Sequence, residues 1–363
     1  MAFNVPIALP FSIDLPIIQA PMAGSQGSAL ALAVAAAGGL GSIPCAMLSM
    51  DALRVELQTL RAGTHQPYNV NFFCHTPPAP DVEPHASRLQ RWNAAVRPYH
   101  LEMDIDPDTI PAGPGRAPFS AEAAALLSEF KPAVVSFHFG LPAPALLAQV
   151  KAWGATVMSS ATTLQEALWL EQHGADVIIA QGAEAGGHRG LFLTDDLSTQ
   201  VDLRTLLRQI IGAVRCPVVA AGGLANAQHV QEVLAMGAAA AQVGSAYLLC
   251  PEATTSAVHR AALQTPAAKH TALTNLFTGR PARGIVNHWM RELGPMSDLA
   301  PAFPLATSAV APLRAKAEAA GSGDFSPLWA GQNAWQCSPR SAADVTRDLA
   351  GSEEPGRQSV LRG

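Results

Sequence analysis

Two kinds of segment alternate through the first 250 residues of this chain. Short runs rich in Val, Ile and Ala end in Gly, Ser or Asn, as β-strands do, and Ala- and Leu-rich runs follow with the three- and four-residue apolar spacing of helices. Because consecutive parallel strands need a crossover connection, this alternation predicts a parallel sheet covered by helices. The predicted strands are Pro16–Ala20, Gly39–Ile43, Tyr68–Phe73, Ala133–Phe139, Ala155–Ser159, Asp176–Gln181, Pro217–Ala221 and Ala239–Val243.

Eight strand–helix units fit a closed (β/α)₈ barrel, the TIM fold, and an open doubly wound sheet is the alternative because two of the strands are short. We assign residues 1–250 to the barrel, including a Pro-rich, partly helical excursion at 74–120. Residues 251–339 are expected to form a helical extension packed on the barrel. Residues 340–363 are expected to be a polar tail that frays.

The composition excludes several classes of protein. Hydrophobic residues make up 49% of the 363, which is enough to offset the entropy of ordering and excludes a disordered chain. The net charge of −5 predicts no binding to nucleic acid or to an anionic membrane. The most apolar stretch, 28–47, is broken by glycines and Pro44, and no Lys or Arg precedes Arg54. We therefore expect a cytoplasmic protein without a membrane span; its oligomeric state stays open.

The five cysteines contain no C-x-x-C pair, so reduced thiols are expected and no zinc site is predicted. Acidic residues are also scarce at the predicted strand ends, which argues against a metal centre. This shortage of acids favours an organic cofactor that carries the chemistry.

Glycines follow the last two predicted strands. Gly222-Gly223 and Gly244-Ser245 would let backbone N–H groups approach an anion closely, at the edge where a barrel of this kind builds its active site. These two pairs predict a phosphate site. Whether the phosphate belongs to a substrate or to a cofactor stays open.

Other polar residues are predicted at the same edge. His188 lies in a glycine-flanked loop and is a candidate acid–base group, whereas His138 fits either a buried core histidine or a pocket residue. Asn71 and Gln181 suit a flat heterocycle but also loop capping.

Three further residues are weaker candidates for a role in the site. Arg189 and Glu184 are expected to form a solvated ion pair, and His75 carries no spacing signal.

Six motifs at the strand ends resemble those of the class I nitronate monooxygenases, formerly called 2-nitropropane dioxygenases. The resemblance continues in NLFTGRPARGIVN and SPLWAGQ and so covers nearly the whole chain. The six motifs are QAPMAG, NVNFF, VVSFHFG, QGAEAGGHRG, AAGGLAN and QVGSAYL.

The resemblance implies FMN bound in a TIM barrel. It implies that His188 is the catalytic histidine and that His138 lines the same pocket and helps to place an anionic substrate. The residues that it places along the flavin ring are Met22, Ala23, Gly24, Asn71, Gln181 and Gly186. Those that it places at the ribityl phosphate are Gly222, Gly223, Gln242, Val243, Gly244 and Ser245.

The chemistry implied by the resemblance is one-electron oxidation of an alkyl nitronate, with propionate 3-nitronate as the suggested substrate. In the chemistry of the family that this chain resembles, an anionic flavin semiquinone is expected, and dioxygen then carries the reaction to a carbonyl compound and nitrite. The protein's part is electrostatic, and a histidinium with backbone N–H groups is expected to stabilise the negative charge.

Two alternatives stay open at this point. One is an FMN-dependent NAD(P)H reductase of the quinone or enoyl type, because flavin barrels of related sequence include such enzymes. The other is a barrel without flavin that binds a phosphorylated metabolite, with or without catalysis.

Overall fold

The computed structural model describes residues 7–79, 81–111 and 116–352. Its strands are β1 (Ile17–Gln19), β2 (Gly41–Pro44), β3 (Tyr68–Phe73), β4 (Val134–His138), β5 (Thr156–Ala161), β6 (Val177–Gln181), β7 (Gly187–His188), β8 (Val218–Ala221), β9 (Ala240–Val243), β10 (Thr271–Thr274) and β11 (Ala282–Ile285). Its α-helices are α1 (Ser28–Ala36), α2 (Met50–Gly63), α3 (His85–Glu102), α4 (Ala121–Phe130), α5 (Pro144–Ala152), α6 (Leu164–Gln172), α7 (Leu203–Ile210), α8 (Ala227–Ala235), α9 (Ala257–Leu263), α10 (His288–Glu292), α11 (Thr307–Ala319) and α12 (Ala342–Leu349).

The eight predicted strands form one parallel sheet in the order β1-β9-β8-β6-β5-β4-β3-β2. A parallel bridge between Ile18 and Leu40 joins β1 to the start of β2 and closes the sheet into a barrel. The prediction of a TIM barrel is confirmed, and the predicted strand bounds differ from the observed ones by at most two residues. All carboxyl ends of the strands therefore meet at one mouth.

Side chains at the loop–helix junctions fix where helices begin at this mouth. Asp202 accepts a hydrogen bond from the Thr205 amide at the start of α7, and Asn226 accepts one from the His229 amide at the start of α8. Such caps satisfy amides that have no partner inside the helix. The loop after β8 is consequently short and well defined.

A second, three-stranded antiparallel sheet lies beside the barrel mouth in the order β10-β11-β7. Ala282 of β11 pairs with His188 of β7. The extension at 251–339, expected to be helical, thus also supplies a β-hairpin. This hairpin holds the backbone of the loop that carries His188.

The excursion at 74–120 packs its main helix, α3, against the extension. Trp92 and Val96 of α3 are fully buried in a cluster with Trp289 and with Leu313 of α11. The two segments outside the barrel units therefore share one hydrophobic core, although we assigned the excursion to the barrel part of the chain.

The prediction that 340–363 frays as a polar tail is wrong for α12. Val345 and Leu349 are buried in the main barrel core, and the hydroxyls of Thr346 and Tyr247 lie 3.0 Å apart. The helix has one apolar side, so packing against α1 and α8 offsets its polar composition. Residues 353–363 of the predicted tail lie outside the described residues.

Candidate active site

A large cavity opens at the carboxyl ends of the barrel strands, where we expected a site. Every predicted site residue except Gly24 lines it. Gly24 lies in the same turn as two lining residues and adopts a left-handed φ of +81°. The predicted residues that line the cavity are Met22, Ala23, Asn71, His138, Gln181, Gly186, His188, Gly222, Gly223, Gln242, Val243, Gly244 and Ser245.

The turn after β8 requires glycine. Gly222 and Gly223 have φ angles of +123° and +69°, which L side chains rarely adopt. Among the described residues, neither amide has a protein acceptor. The turn therefore presents backbone N–H groups that are free to bind an anion.

The extension closes this end of the cavity. The Gly331 amide donates a hydrogen bond of 2.9 Å to Oγ of Ser245, and Nδ2 of Asn333 donates one of 2.7 Å to the carbonyl of Gly223. These contacts link residues more than 80 positions apart. The sequence did not indicate them.

Two amides at the cavity differ in how the protein uses them. Oε1 of Gln242 is buried and has no hydrogen-bond partner among the described residues. Nδ2 of Asn71, in contrast, donates to Oγ of Ser136 at 2.9 Å. An unpaired buried acceptor is costly, so the site around Gln242 fits a ligand that donates a hydrogen bond.

Gln181 serves as a loop anchor. Its Nε2 donates to the carbonyl of His188 at 2.9 Å, and its Oε1 accepts from the Gly190 amide at 2.8 Å. The sequence allowed two roles for Gln181, contact with a heterocycle or capping of a loop. Its side-chain hydrogen bonds show that it caps the loop.

The expected solvated pair of Arg189 and Glu184 is not present. Arg189 is fully buried and donates hydrogen bonds to the carbonyls of Gln181 and Gly182, while Glu184 accepts one from the Leu203 amide at the start of α7. The prediction of a solvated ion pair was wrong because the 182–190 loop is buried by the extension at 251–339, which the sequence did not place there. Both side chains hold this loop in place.

His138 has its two ring nitrogens occupied. Nδ1 lies 2.6 Å from Oγ of Ser160, and Nε2 lies 3.3 Å from the carbonyl oxygen of His188. A carbonyl only accepts, so this network assigns the proton to Nε2 and makes Ser160 the donor to Nδ1. Burial, with Arg280 nearby, lowers the pKa of His138 to about 3. His138 is therefore a neutral group that orients the backbone of His188.

His188 is held by its side chain as well as by its backbone. Nε2 lies 3.0 Å from Oγ1 of Thr278, and Nδ1 has no partner among the described residues. Burial, followed by the positive charge of Arg116, lowers the pKa of His188 well below its usual value. The expected histidinium is thus a neutral imidazole in this structure, because the surrounding elements exclude water and add positive charge.

Three phenylalanines border the histidines and form what we call the aromatic cluster: Phe73, Phe139 and Phe303. The ring centroid of His188 lies 6.1, 6.0 and 5.4 Å from these rings, respectively. All three rings are buried. They make one side of the histidine site apolar.

Three basic groups surround the aromatic cluster. Arg116 lies 5.9 Å from the centre of the Phe303 ring, Arg280 lies 4.0 Å from that of Phe139, and the His75 ring lies 4.8 Å from that of Phe303.

Sequence reasoning missed most of these groups. Thr278 and Arg280 lie within NLFTGRPARGIVN, a segment already noted, but no spacing pointed to a role for either. Arg116 and His75 carry no signal at all, since the excursion reaches the site only through tertiary packing.

Neither a metal site nor a membrane helix is found in the described part of the chain. No three His, Cys, Asp or Glu side chains at 7–79, 81–111 and 116–352 are grouped to hold a metal ion. Within the same ranges, no helix is long and apolar enough to cross a bilayer.

A parallel (β/α)₈ barrel with glycine turns and histidines around a cavity at its carboxyl mouth is typical of a (β/α)₈-barrel enzyme whose site binds an anionic group. The chain belongs to the nitronate monooxygenase family, whose model matches residues 7–351. It is thus an oxidoreductase of a flavin-dependent family.

Several relatives cover almost the full chain. A nitronate monooxygenase from Paraburkholderia phytofirmans is 39% identical over 96% of this chain and 94% of its own, and one from Pseudomonas aeruginosa is 38% identical over 93% and 95%. Among solved structures, nitroalkane oxidase from Streptomyces ansochromogenes has a TM-score of 0.86 and 36% identity over 94% of this chain and 96% of its own. FabK from Thermotoga maritima shares the fold, with a TM-score of 0.68 and 24% identity over 94% and 93%.

Proposed function

We propose that this protein is an FMN-dependent nitronate monooxygenase that oxidises alkyl nitronates with O₂ to a carbonyl compound and nitrite, propionate 3-nitronate being a substrate. The observation that carries this proposal is one cavity that combines free backbone amides at Gly222 and Gly223 with a neutral His188. The family supports the reaction class.

The cavity residues fit FMN. Oε1 of Gln242, buried without a partner, matches a ligand that brings its own N–H or O–H donor. Gly222, Gly223, Gly244 and Ser245 would hold the phosphate, since all four line the cavity and the amides of Gly222 and Gly223 have no protein acceptor among the described residues.

The other predicted flavin contacts, except Gly24, line the same cavity. We assign Met22, Ala23, Gly24, Asn71 and Gly186 to the ring, with Val243 beside the phosphate and Gln181 holding the adjacent loop.

The remaining residues would bind and orient the nitronate. When bound, FMN supplies a one-electron acceptor next to the substrate. His188 would direct Nδ1 to the nitronate, because Nε2 is engaged by Thr278. His138 would keep the His188 backbone in place, and the aromatic cluster would exclude water.

The test is a spectrum of purified protein mixed anaerobically with propionate 3-nitronate. We expect the absorption of a one-electron-reduced flavin in its anionic form, and nitrite on admission of air. An unchanged oxidised spectrum together with rapid bleaching by NADH would overturn the proposal in favour of a nicotinamide-dependent reductase. Protein that is colourless and cannot be reconstituted with FMN would overturn the cofactor assignment.

A further inference from the structure

Two partly buried guanidinium groups beside the site have no carboxylate within salt-bridge distance among the described residues. Arg116 and Arg280 form no salt bridge with a carboxylate among the described residues. Arg116 donates to Oγ1 of Thr307 at 3.0 Å, and Arg280 donates to the carbonyl of Leu191. Buried charges are normally paired, because their desolvation is costly.

Unused donors accompany these charges. Nε of Arg280 is buried without a partner, and neither ring nitrogen of His75 makes a hydrogen bond among the described residues. His75 is only 7% exposed. Buried polar atoms are satisfied in the great majority of cases, so a group of unused donors marks the place of a missing acceptor.

These groups lie on the side of the aromatic cluster next to His188. Arg116 and His188 both line the cavity, and the Phe303 ring lies 5.9 Å from the first and 5.4 Å from the second. Burial lowers the pKa of Arg116 and of Arg280, as expected for charges that await a counterion.

We propose that Arg116 is a specificity-determining residue that binds a second anionic group, a carboxylate, of the nitronate substrate. Arg280 adds positive potential, and His75 is available as a neutral donor at the same place. The nitronate end lies at His188 and the carboxylate end at Arg116, so the enzyme selects nitronates that carry a carboxylate over simple alkyl nitronates. This inference rests on the proposed function.

Arg116→Met removes the charge and keeps much of the apolar bulk. We expect the KM for propionate 3-nitronate to rise at least about tenfold more than the KM for ethyl nitronate, since the charge-assisted hydrogen bond is lost only for the substrate that carries a carboxylate. Arg116→Lys should recover part of the loss. The matched control is Arg97→Met, which removes a positive charge from the exposed pair with Asp108 in the same excursion.

Comparing the two substrates distinguishes a loss of carboxylate recognition from general damage to the active site. If Arg116→Met impairs both nitronates equally, or neither, or if the wild-type protein shows no preference for propionate 3-nitronate over ethyl nitronate, the inference is wrong while the proposed function stands. If the flavin-loaded wild-type protein oxidises neither nitronate, the proposed function itself fails. The flavin spectrum of each variant verifies that the cavity is intact.

Discussion

Nε2 of His188 lies 3.0 Å from Oγ1 of Thr278, a residue 90 positions further along the chain. The Thr278 hydroxyl also donates, at 3.4 Å, to the carbonyl of Arg280. The Arg280 amide donates to the same hydroxyl at 3.4 Å. Because Thr278 occupies Nε2 of His188, Nδ1 is the ring nitrogen that is free for a ligand. A loop of the extension thus orients the ring of a histidine in the barrel mouth.

Thr278→Val should lower kcat about tenfold with FMN content unchanged, because the ring of His188 loses the bond that orients it while the volume at position 278 is kept. Steady-state nitronate oxidation measures this effect. Thr278→Ser keeps the hydroxyl and should retain most activity. Wild-type kcat in the valine variant would contradict the role of Thr278.

His188→Ala should keep FMN bound and lower turnover at least about a hundredfold, since it removes the imidazole that we propose orients the nitronate. Flavin absorbance per protein and nitrite production are the two measurements. His65→Ala, a change at an exposed histidine remote from the cavity, is the control. Full activity in the His188 variant would refute its catalytic role.

Gly222→Ala should weaken FMN binding about tenfold. A φ of +123° is strained for alanine by about 1–3 kcal/mol, and relaxation of the turn would misplace its amides. Fluorescence of flavin released on dilution gives the affinity. Gly321→Ala is a matched control, because Gly321 also has a left-handed φ, +78°, with open space around it. Equal flavin affinity in the two variants would disprove a phosphate site at the turn.

Stability should fall as the pH drops from 7 to 5. His138 has a pKa lowered to about 3 in the folded protein, so the unfolded chain binds more protons below its own pKa of about 6.5. The contribution of His138 is complete above pH 6.5 and is lost as the pH falls toward 3; between pH 7 and 5 the loss is about 2 kcal/mol. Urea unfolding at the two pH values measures it. His138→Gln should remove that part of the pH dependence, and an unchanged dependence would contradict the burial of a neutral imidazole.

Leu349→Ala should reduce the free energy of unfolding by about 2–4 kcal/mol, because it opens a cavity where α12 packs on the barrel. Kinetic constants for nitronate oxidation should stay the same, as α12 contributes through packing at this position. Leu193→Ala, at a side chain that is 48% exposed, provides the control in urea unfolding. Equal stability of the two variants would mean that α12 does not contribute to the core.

The barrel and most of the cavity lining were predictable because both follow from local patterns. Alternating strand and helix periodicities define the eight units, and residues such as Gly222 and Ser245 come directly after strands. In a parallel barrel, that position alone brings them to one mouth. Neither argument needs knowledge of contacts between distant parts of the chain.

The burial and the protonation of the site residues, in contrast, depended on tertiary structure. The sequence predicted a solvated ion pair for Arg189 and a candidate acid–base group at His188, whereas the structure buries Arg189 and lowers the pKa of His188 so that its imidazole is neutral.

The amino-acid sequence by itself determined the fold and which strand ends carry polar groups, since hydrophobic periodicity and glycine placement act over a few residues. Only the tertiary structure decided that Thr278, Arg116 and Arg280 surround His188. These three residues come from segments outside the barrel units. The burial and the protonation state of His188 depend on every element that excludes water from it or places a charge near it, however far apart those elements lie in the chain.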